Sequence, residues 1–399
     1  MRKEHLRRSV QEDYIMICYF DNSATTKCAP SVIDIMNEIM NNSYANPSSL
    51  HNMGFRAEEL LNESRKTIAS TLKAYDKEIV FTSGGTESNN MALIGSATAN
   101  KRSGMHIITS AIEHPSVNEP LKKLSEMGYE ITYLPVDKNG IISLNDLEES
   151  IRDDTILVSI MHINNEIGSV QPIEDIGRII KRSKADAIFH VDAIQSYGKY
   201  LLSPKKMNID LLSVSGHKIH GPKGSGFLYI KQGTKIRPII HGGGQEWGLR
   251  SGTENVYSQC GLGEAASLMY NNMSKNEDTL RKLKNHFIER LNDMDFAEVN
   301  GKTDIDSSPN IVSVSIKDVR AEVVLHSLEE KGIYVSAGSA CSSNRPSVSR
   351  TLQAIGINKE LLDKTVRFSF SIYNTIEEVD YACDVLSETV PKLRKYVRR

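Results

Sequence analysis

Short apolar runs alternate with amphipathic stretches between about residues 55 and 230. This alternation is typical of β-strands joined by crossover helices, and such crossovers build a mainly parallel sheet. Strands are predicted at 79–82, 106–109, 130–134, 155–160, 188–191, 211–214 and 226–230. Helices are predicted between them, at 55–73, 86–99 and 172–183. The sequence therefore predicts an α/β domain, in which ligands bind beyond the carboxyl ends of the strands.

A second, smaller α/β unit is predicted after the glycine-rich stretch 241–252. Apolar side chains at helical spacing indicate one long connector helix over 262–298. Strands of the smaller unit are predicted at 310–316, 333–336 and 367–371. The expected parts are an N-terminal extension (1–15), a segment that packs with the small domain (16–26), a large domain (27–262), and the connector helix with the small domain (263–399). Residues 1–15 are either a disordered extension or the product of a start site assigned too early.

Composition and charge exclude several classes of protein. A hydrophobic share of 39% and a charged share of 25% are typical of a globular protein, and a net charge of −2 argues against nucleic-acid binding. No apolar run approaches the roughly 20 residues of a membrane span. Five scattered cysteines have no metal-ligand spacing, so neither disulfides nor a metal site is expected. We therefore expect a cytoplasmic protein.

The first of three motifs is Thr-Ser-Gly-Gly-Thr-Glu-Ser-Asn-Asn at 82–90, where a predicted strand turns into a helix. Gly85 lets the backbone approach an anion closely, and the Thr86 hydroxyl can assist the free N–H groups of the first helical turn. Seen alone, the motif fits a plain capped turn equally well. It contains neither a dinucleotide fingerprint nor a triphosphate loop.

The other two motifs follow later strands. Asp192 emerges from an apolar strand, where a buried carboxylate needs a cation such as a pyridinium nitrogen, although it could simply cap the strand. Lys218 lies in Ser-Gly-His-Lys, between a strand and a Gly-Pro-Lys-Gly turn. A desolvated lysine can form a Schiff base, whereas most lysines are only solvated. The order of the three motifs fits a single pyridoxal-phosphate (PLP) site.

With these motifs in order, the chain resembles the cysteine desulfurases of the class V aminotransferase group. The resemblance covers about 19–385, and its further motifs include Asp-Asn-Ser-Ala-Thr-Thr at 21–26, Asn-Asn-Glu-Ile-Gly at 164–168 and Gly-Ser-Ala-Cys at 338–341. It implies fold type I of the PLP enzymes: a large domain with a mainly parallel seven-stranded sheet and a smaller α/β domain.

The resemblance also implies roles for individual residues. Lys218 would carry the cofactor and move protons at the substrate α-carbon, while His114, also catalytic, would stack on the ring. Asp192 would pair with the ring nitrogen, and Gln195 and Asn165 would bind the ring-oxygen side. The phosphate would be held by Gly85, Thr86, Ser215 and His217.

The remaining implied roles define the reaction. Arg367, with Asn165, would bind the carboxylate of L-cysteine, and Cys341, in the small domain, would accept the sulfur as a persulfide while alanine leaves. Thr253 would reach the phosphate of the neighbouring subunit in a homodimer. An acceptor protein, either an iron–sulfur scaffold or a tRNA-thiolation enzyme, would then receive the sulfur.

Alternatives stay open at this point. Another PLP enzyme of the same fold, such as an aminotransferase or a selenocysteine lyase, would make Cys341 a bystander. A nicotinamide-dependent oxidoreductase could use a similar sheet, and a non-catalytic scaffold could keep the fold. Trp247 stands where a basic residue is common in the family, and residues 344–350 also differ from its usual pattern. These departures leave the sulfur acceptor undetermined.

Overall fold

The computed structural model describes residues 16–337 and 349–397, so Cys341 and the Gly-Ser-Ala before it lie outside the described residues. The strands are β1 (Cys18–Tyr19), β2 (Ile79–Thr82), β3 (His106–Ser110), β4 (Glu130–Leu134), β5 (Thr155–Met161), β6 (Ile188–Asp192), β7 (Leu211–Ser215), β8 (Gly226–Ile230), β9 (Ala297–Asn300), β10 (Ile311–Ile316), β11 (Ile333–Tyr334), β12 (Ser336–Ala337) and β13 (Thr365–Ser369).

The α-helices are α1 (Pro30–Asn42), α2 (Asn52–Thr71), α3 (Gly85–Asn90), α4 (Ser96–Asn100), α5 (Pro115–Glu126), α6 (Leu144–Ser150), α7 (Ile173–Arg182), α8 (Val256–Asn271), α9 (Met273–Asn292), α10 (Ala321–Glu329), α11 (Arg350–Ala354) and α12 (Ile376–Val397). A π-helical turn, Met91–Gly95, joins α3 to α4, so the helix predicted at 86–99 is three short pieces. None of the helices described in these two ranges is both long and apolar enough to cross a membrane.

A seven-stranded sheet in the order β2-β8-β7-β6-β5-β3-β4 forms the centre of the large unit. Its strands pair in parallel except β8, which runs antiparallel to both β2 and β7. Neighbouring residues of one strand, such as Leu157 and Val158, pack into different apolar clusters on the two faces. Strands buried on both faces are expected when crossover helices cover a parallel sheet. The predicted fold class is therefore confirmed.

The single connector helix predicted over 262–298 is wrong. The chain forms two helices, α8 and α9, because Asn272 between them has a non-helical backbone (φ −117°, ψ 16°). Helix α8 packs on α1 and α2 of the large unit, whereas α9 packs on α12 of the small unit. The break therefore lies where the chain passes from one unit to the other.

The small unit is built on a four-stranded sheet in the order β12-β13-β10-β9. The strand predicted at 333–336 divides, because β11 pairs with β1 and only β12 joins the larger sheet. Cys18 and Phe20 lie in the apolar core of this unit, so the N-terminal segment packs against it. The domain boundaries given above stay a prediction.

Candidate active site

A cavity of about 240 Å³ lies at the carboxyl ends of the parallel strands. It is lined by Ser23, Ala24, Gly85, Thr86, His114, Ser116, Met161, Asn165, Asp192, Ile194, Gln195, Ser215, His217, Lys218 and Arg367. The fold therefore brings together ten of the predicted site residues. Thr253 is not among the lining residues and is exposed, and Cys341 lies outside the described part of the chain.

Asp192 ends β6 and is 4% exposed. Its carboxylate accepts hydrogen bonds from Asn89 Nδ2 at 2.8 Å and from the Ile194 backbone N–H at 3.0 Å. Both donors are neutral, and burial raises the pKa of the Asp192 carboxyl. A cation bound in the cavity against Asp192 would lower that pKa again. The site is therefore suited to a ligand with a protonated ring nitrogen.

His114 borders the same cavity at the first turn of α5. Its Nδ1 accepts from the Ser116 backbone N–H at 3.1 Å and lies 2.8 Å from Ser116 Oγ. Asn89 Nδ2 donates to the same Ser116 hydroxyl, which links His114 to Asp192. Burial lowers the pKa of His114, so the imidazole is neutral near pH 7. Sequence reasoning missed Asn89 and Ser116 as members of this network.

Lys218 ends a short 3₁₀ turn, Gly216–Lys218, that follows β7. Its Nζ donates to the backbone carbonyls of Ser23 and Ala24, the latter at 2.8 Å. Gln195 Nε2 donates to the Ser23 carbonyl at 3.0 Å. The N-terminal segment thus contributes main-chain acceptors to the cavity, a role that sequence analysis did not assign.

An adjoining cavity is lined by Gly85, Thr86, Ser215 and His217, and also by Ser83 and Lys223. A Cβ on Gly85 would lie 2.2 Å from Ile194 Cδ1, so any side chain there would displace Ile194. Burial, reinforced by the charge of Lys218, lowers the pKa of His217 to about 4. An anion bound here would offset both effects. Hydroxyls, an imidazole and an ammonium group therefore line a space suited to a phosphate, and the Glu87 carboxylate that also lines it is paired with Arg250 Nε at 2.9 Å.

Arg367 lies in β13 of the small unit and reaches the cavity although it is only 4% exposed. Its Nη1 donates to the Asn165 carbonyl at 2.9 Å, and its Nη2 donates to Asp21 Oδ1 at 2.7 Å. Its buried Nε has no hydrogen-bond partner among the described residues. A buried guanidinium N–H without a partner is costly unless a ligand accepts from it. A substrate carboxylate can do so.

Comparison with known proteins agrees with this site. The family model described as "Aminotransferase class-V" matches residues 18–382. The chain belongs to that family. Cysteine desulfurase IscS of Dictyoglomus turgidum is 43% identical over 380 residues, which cover 94% of this chain and 95% of that protein. Within the family, the chain is a PLP-dependent cysteine desulfurase of the IscS and NifS type.

Solved structures extend the likeness to three dimensions. A structure described as a NifS-like protein has a TM-score of 0.90 and 39% identity, and the match covers 95% of this chain and all of the other. A second, described as SspA in complex with cysteine, has a TM-score of 0.78 and 36% identity, over 90% of this chain and all of the other. The family excludes the nicotinamide-dependent oxidoreductase among the alternatives.

The cavity also fits PLP on its own geometry. The carboxylate of Asp192 is buried against neutral hydrogen-bond donors, a Cβ at Gly85 would displace Ile194 of the cavity wall, and Lys218 lines the same space. These features lie where a ring nitrogen, a phosphate and an aldehyde carbon of one cofactor would each find a partner. The residues present therefore suit the cofactor that the family uses.

Proposed function

We propose that this enzyme takes the sulfur of L-cysteine onto Cys341 as a persulfide and releases L-alanine. The observation that supports it is one cavity shared by the Lys218 amine, the Asp192 carboxylate and the unpartnered Nε of Arg367. An amino acid bound there would meet a cation for its carboxylate and an amine for its α-proton. When bound, PLP supplies the electron sink that the reaction needs at the α-carbon.

Arg367 would orient the substrate. Its Nη1 and Nη2 are already held by Asn165 and Asp21, so the guanidinium plane is fixed before the substrate arrives. The substrate carboxylate would then accept from Nε, with the two hydrogen bonds that an arginine fork favours. Because Arg367 is buried, the substrate carboxylate must lose its bound water to reach it. Arg367 and Lys218 line the same cavity, so a carboxylate bound there would place the α-carbon on the side of Lys218.

Lys218 would move the proton at the α-carbon, because its Nζ lines the cavity on the face where the N-terminal segment lies. His114 would cover the ring face as a neutral imidazole. The Cys341 thiolate would attack the substrate sulfur. An S–S bond forms, the Cβ–S bond breaks with its electron pair left on carbon, and that carbon takes a proton to become the methyl group of alanine.

The test compares Cys341→Ser with a matched control, Cys28→Ser, whose half-buried thiol donates to the Gly221 carbonyl and does not line the cavity. Both variants should bind PLP and retain its yellow colour. Only Cys341→Ser should lose alanine release from L-cysteine in the presence of a reductant. If Cys341→Ser releases alanine at the wild-type rate, Cys341 takes no part in the reaction. That result would favour the alternative of an aminotransferase or a selenocysteine lyase.

A homodimer is the second part of the proposal. Several large apolar side chains are exposed on α2, α8 and the loops before them: Tyr44, Leu50, Phe55, Trp247 and Tyr257. The helices α1, α2 and α8 pack on one another, so these side chains belong to one region of the surface. Exposed apolar surface of this extent is typical of an interface. Thr253, which is exposed nearby, would there reach the partner's phosphate.

Co-expression of two inactive variants tests the shared site. In a mixed dimer of Lys218→Ala with Thr253→Asp, one of the two sites has an intact lysine and an intact threonine from the neighbour. We expect activity to return in the mixed dimer, which two tags can isolate. Continued inactivity of a stable mixed dimer would mean that Thr253 serves its own subunit.

The sulfur acceptor would be a protein, either an iron–sulfur scaffold or a tRNA-thiolation enzyme, and the enzyme would act in the cytoplasm. The four described cysteines are unpaired, as is usual in a reducing compartment. Radiolabelled sulfur from L-cysteine should move from the enzyme to a purified acceptor of one kind. Transfer to neither would exclude both acceptors.

A further inference from the structure

Cys341 is preceded in the sequence by strand β12, Ser336–Ala337, and followed by Ser349, the N-cap of α11. On the N-terminal side, β12 pairs with β13, and Ser336 lies opposite Arg367. On the C-terminal side, Ser349 Oγ donates to Glu166 Oε2 at 2.5 Å. Both attachments therefore lie next to residues that line the cavity or adjoin one that does.

Glu166 belongs to a tight turn that Asn164 organises from within. Asn164 Oδ1 accepts from the backbone N–H groups of Glu166 and Ile167 at 2.9 and 3.0 Å, and Asn164 Nδ2 donates to Thr351 Oγ1 at 3.3 Å. Ile167 packs in one cluster with Leu352 and Ile355 of the α11 region. The turn 164–168 thus holds α11 by apolar packing, by an amide and by the Glu166 carboxylate.

The same turn also holds the substrate arginine, because the Asn165 carbonyl accepts from Arg367 Nη1. We propose that Glu166 is a positioning residue for sulfur transfer: it fixes Ser349, and with it one end of the segment bearing Cys341, to the turn that orients Arg367. This role depends on the proposed role of Cys341. Fixing both ends of a short segment raises the effective concentration of a group carried on it.

A simple helix cap is the competing explanation for Ser349. Its Oγ also accepts from the Leu352 backbone N–H at 3.1 Å, which caps α11. The variant S349D separates the two roles, because aspartate is an equally good cap but places a second carboxylate against Glu166. In S349D/E166Q the side-chain amide of the new glutamine can donate a hydrogen bond to the carboxylate of the new aspartate. The contact is then restored, but residue 166 is now the donor and residue 349 the acceptor.

A matched control exists in Ser143, which caps α6. Its Oγ accepts from the Asp146 backbone N–H at 3.2 Å and donates to Asp146 Oδ1 at 3.0 Å. The same serine-to-carboxylate contact is therefore present on the surface, between residues that line neither of the two site cavities. S143D changes a cap and its acidic partner in the same way as S349D, and we expect no effect on either reaction below.

Two measurements on the PLP-loaded enzyme distinguish positioning from damage to the site. Exchange of the α-proton of L-alanine in D₂O requires Lys218 and Arg367 but no sulfur transfer, whereas mass spectrometry after one turnover with L-cysteine counts the persulfide on Cys341. We expect S349D to slow persulfide formation about tenfold, the scale of one hydrogen bond to a charged group. Alanine exchange should keep its wild-type rate, and S349D/E166Q should recover most of the loss.

Three results would overturn the role of Glu166: wild-type persulfide formation in S349D, an equal loss of both reactions, or no recovery in the double variant. The proposed function fails differently. If wild-type enzyme carries no persulfide on Cys341 after a turnover, or if C341S releases alanine at the wild-type rate, Cys341 is not the acceptor. The two failures are therefore distinguishable within one set of proteins.

Discussion

The buried pair of Arg65 and Glu246 holds the glycine-rich stretch 241–252 against α2. Two hydrogen bonds of 2.8 Å join the guanidinium to the carboxylate, and Glu246 Oε2 also accepts from the Phe81 backbone N–H at 2.9 Å. The guanidinium lies between the Phe81 and Trp247 rings, 4.4 and 4.6 Å from their centroids. Trp247 thus covers a buried charge.

The substitution Glu246→Gln removes the negative charge and keeps the shape of the side chain. The side chains of Arg65 and Glu246 are only 6% and 2% exposed. Arg65 would therefore remain as a buried cation without its counter-ion. Breaking a buried ion pair from one side costs about 3–5 kcal/mol. The backbone φ of +47° at residue 246 is the same strain for glutamine as for glutamate, so it cancels in the comparison.

Urea unfolding of the PLP-loaded protein measures this loss as a change in the free energy of unfolding. The matched control is Glu130→Gln, since Glu130 makes the same two-bond contact with Arg152, at 2.8 and 2.9 Å, but on the surface. There the side-chain exposures are 65% and 40%, and little or no loss is expected. The double variant Arg65→Met/Glu246→Gln should recover part of the loss. Equal effects of the two glutamine substitutions would refute the reasoning.

Two further predictions concern charges beside the site. Asp21→Asn keeps an acceptor for Arg367 Nη2 but removes a negative charge beside the substrate carboxylate. L-alanine should therefore bind about fivefold tighter, because about 1 kcal/mol of screened repulsion is lost. Weaker binding of L-alanine in an absorbance titration would contradict this. Burial raises the pKa of Glu113 from 4.5 to about 8. The folded state therefore holds this proton more tightly, and wild-type stability should fall relative to Glu113→Gln by up to about 5 kcal/mol between pH 4.5 and 8. If the difference in unfolding free energy between wild type and Glu113→Gln, measured in urea, does not change with pH, the raised pKa of Glu113 is excluded.

The large sheet could be predicted from its apolar runs, but several strands extend one residue further than predicted. Ser110, Asp192 and Ser215 end β3, β6 and β7, one position beyond the predicted ends. A criterion based on apolar side chains places these ends too early, because the backbone of a polar residue at the end of the run still pairs in the sheet. Two of these terminal residues, Asp192 and Ser215, line the cavity, so the error falls where the site begins.

The connector was mispredicted for a different reason. Apolar positions continue at helical spacing through Asn272, so periodicity alone does not show the break. Helix α8 is buried on most of its surface, whereas α9 buries one side with Leu280, Leu283 and Phe287. Helix α8 and helix α9 therefore pack against different partners. Only the tertiary structure shows where the first helix ends and the second begins.

The chain order of the motifs allowed the cavity to be predicted, because the carboxyl ends of parallel strands meet at one edge. The acceptors that Lys218 uses were not predictable in this way. They are main-chain carbonyls of Ser23 and Ala24, which any residue type could supply. The contact of Glu166 with Ser349 joins positions 183 residues apart, and neither side chain is distinctive in the sequence.

The N-terminal segment connects the two halves of the site. Asp21 binds Arg367 of the small unit, the carbonyls of Ser23 and Ala24 accept from Lys218 of the large unit, and the Thr26 backbone N–H donates to the His217 carbonyl at 2.8 Å. The substrate arginine and the cofactor lysine are thus attached to the same few residues. A shift of this segment must therefore change substrate binding and cofactor binding together, because the same few residues carry one acceptor of Arg367 and the main-chain acceptors of Lys218.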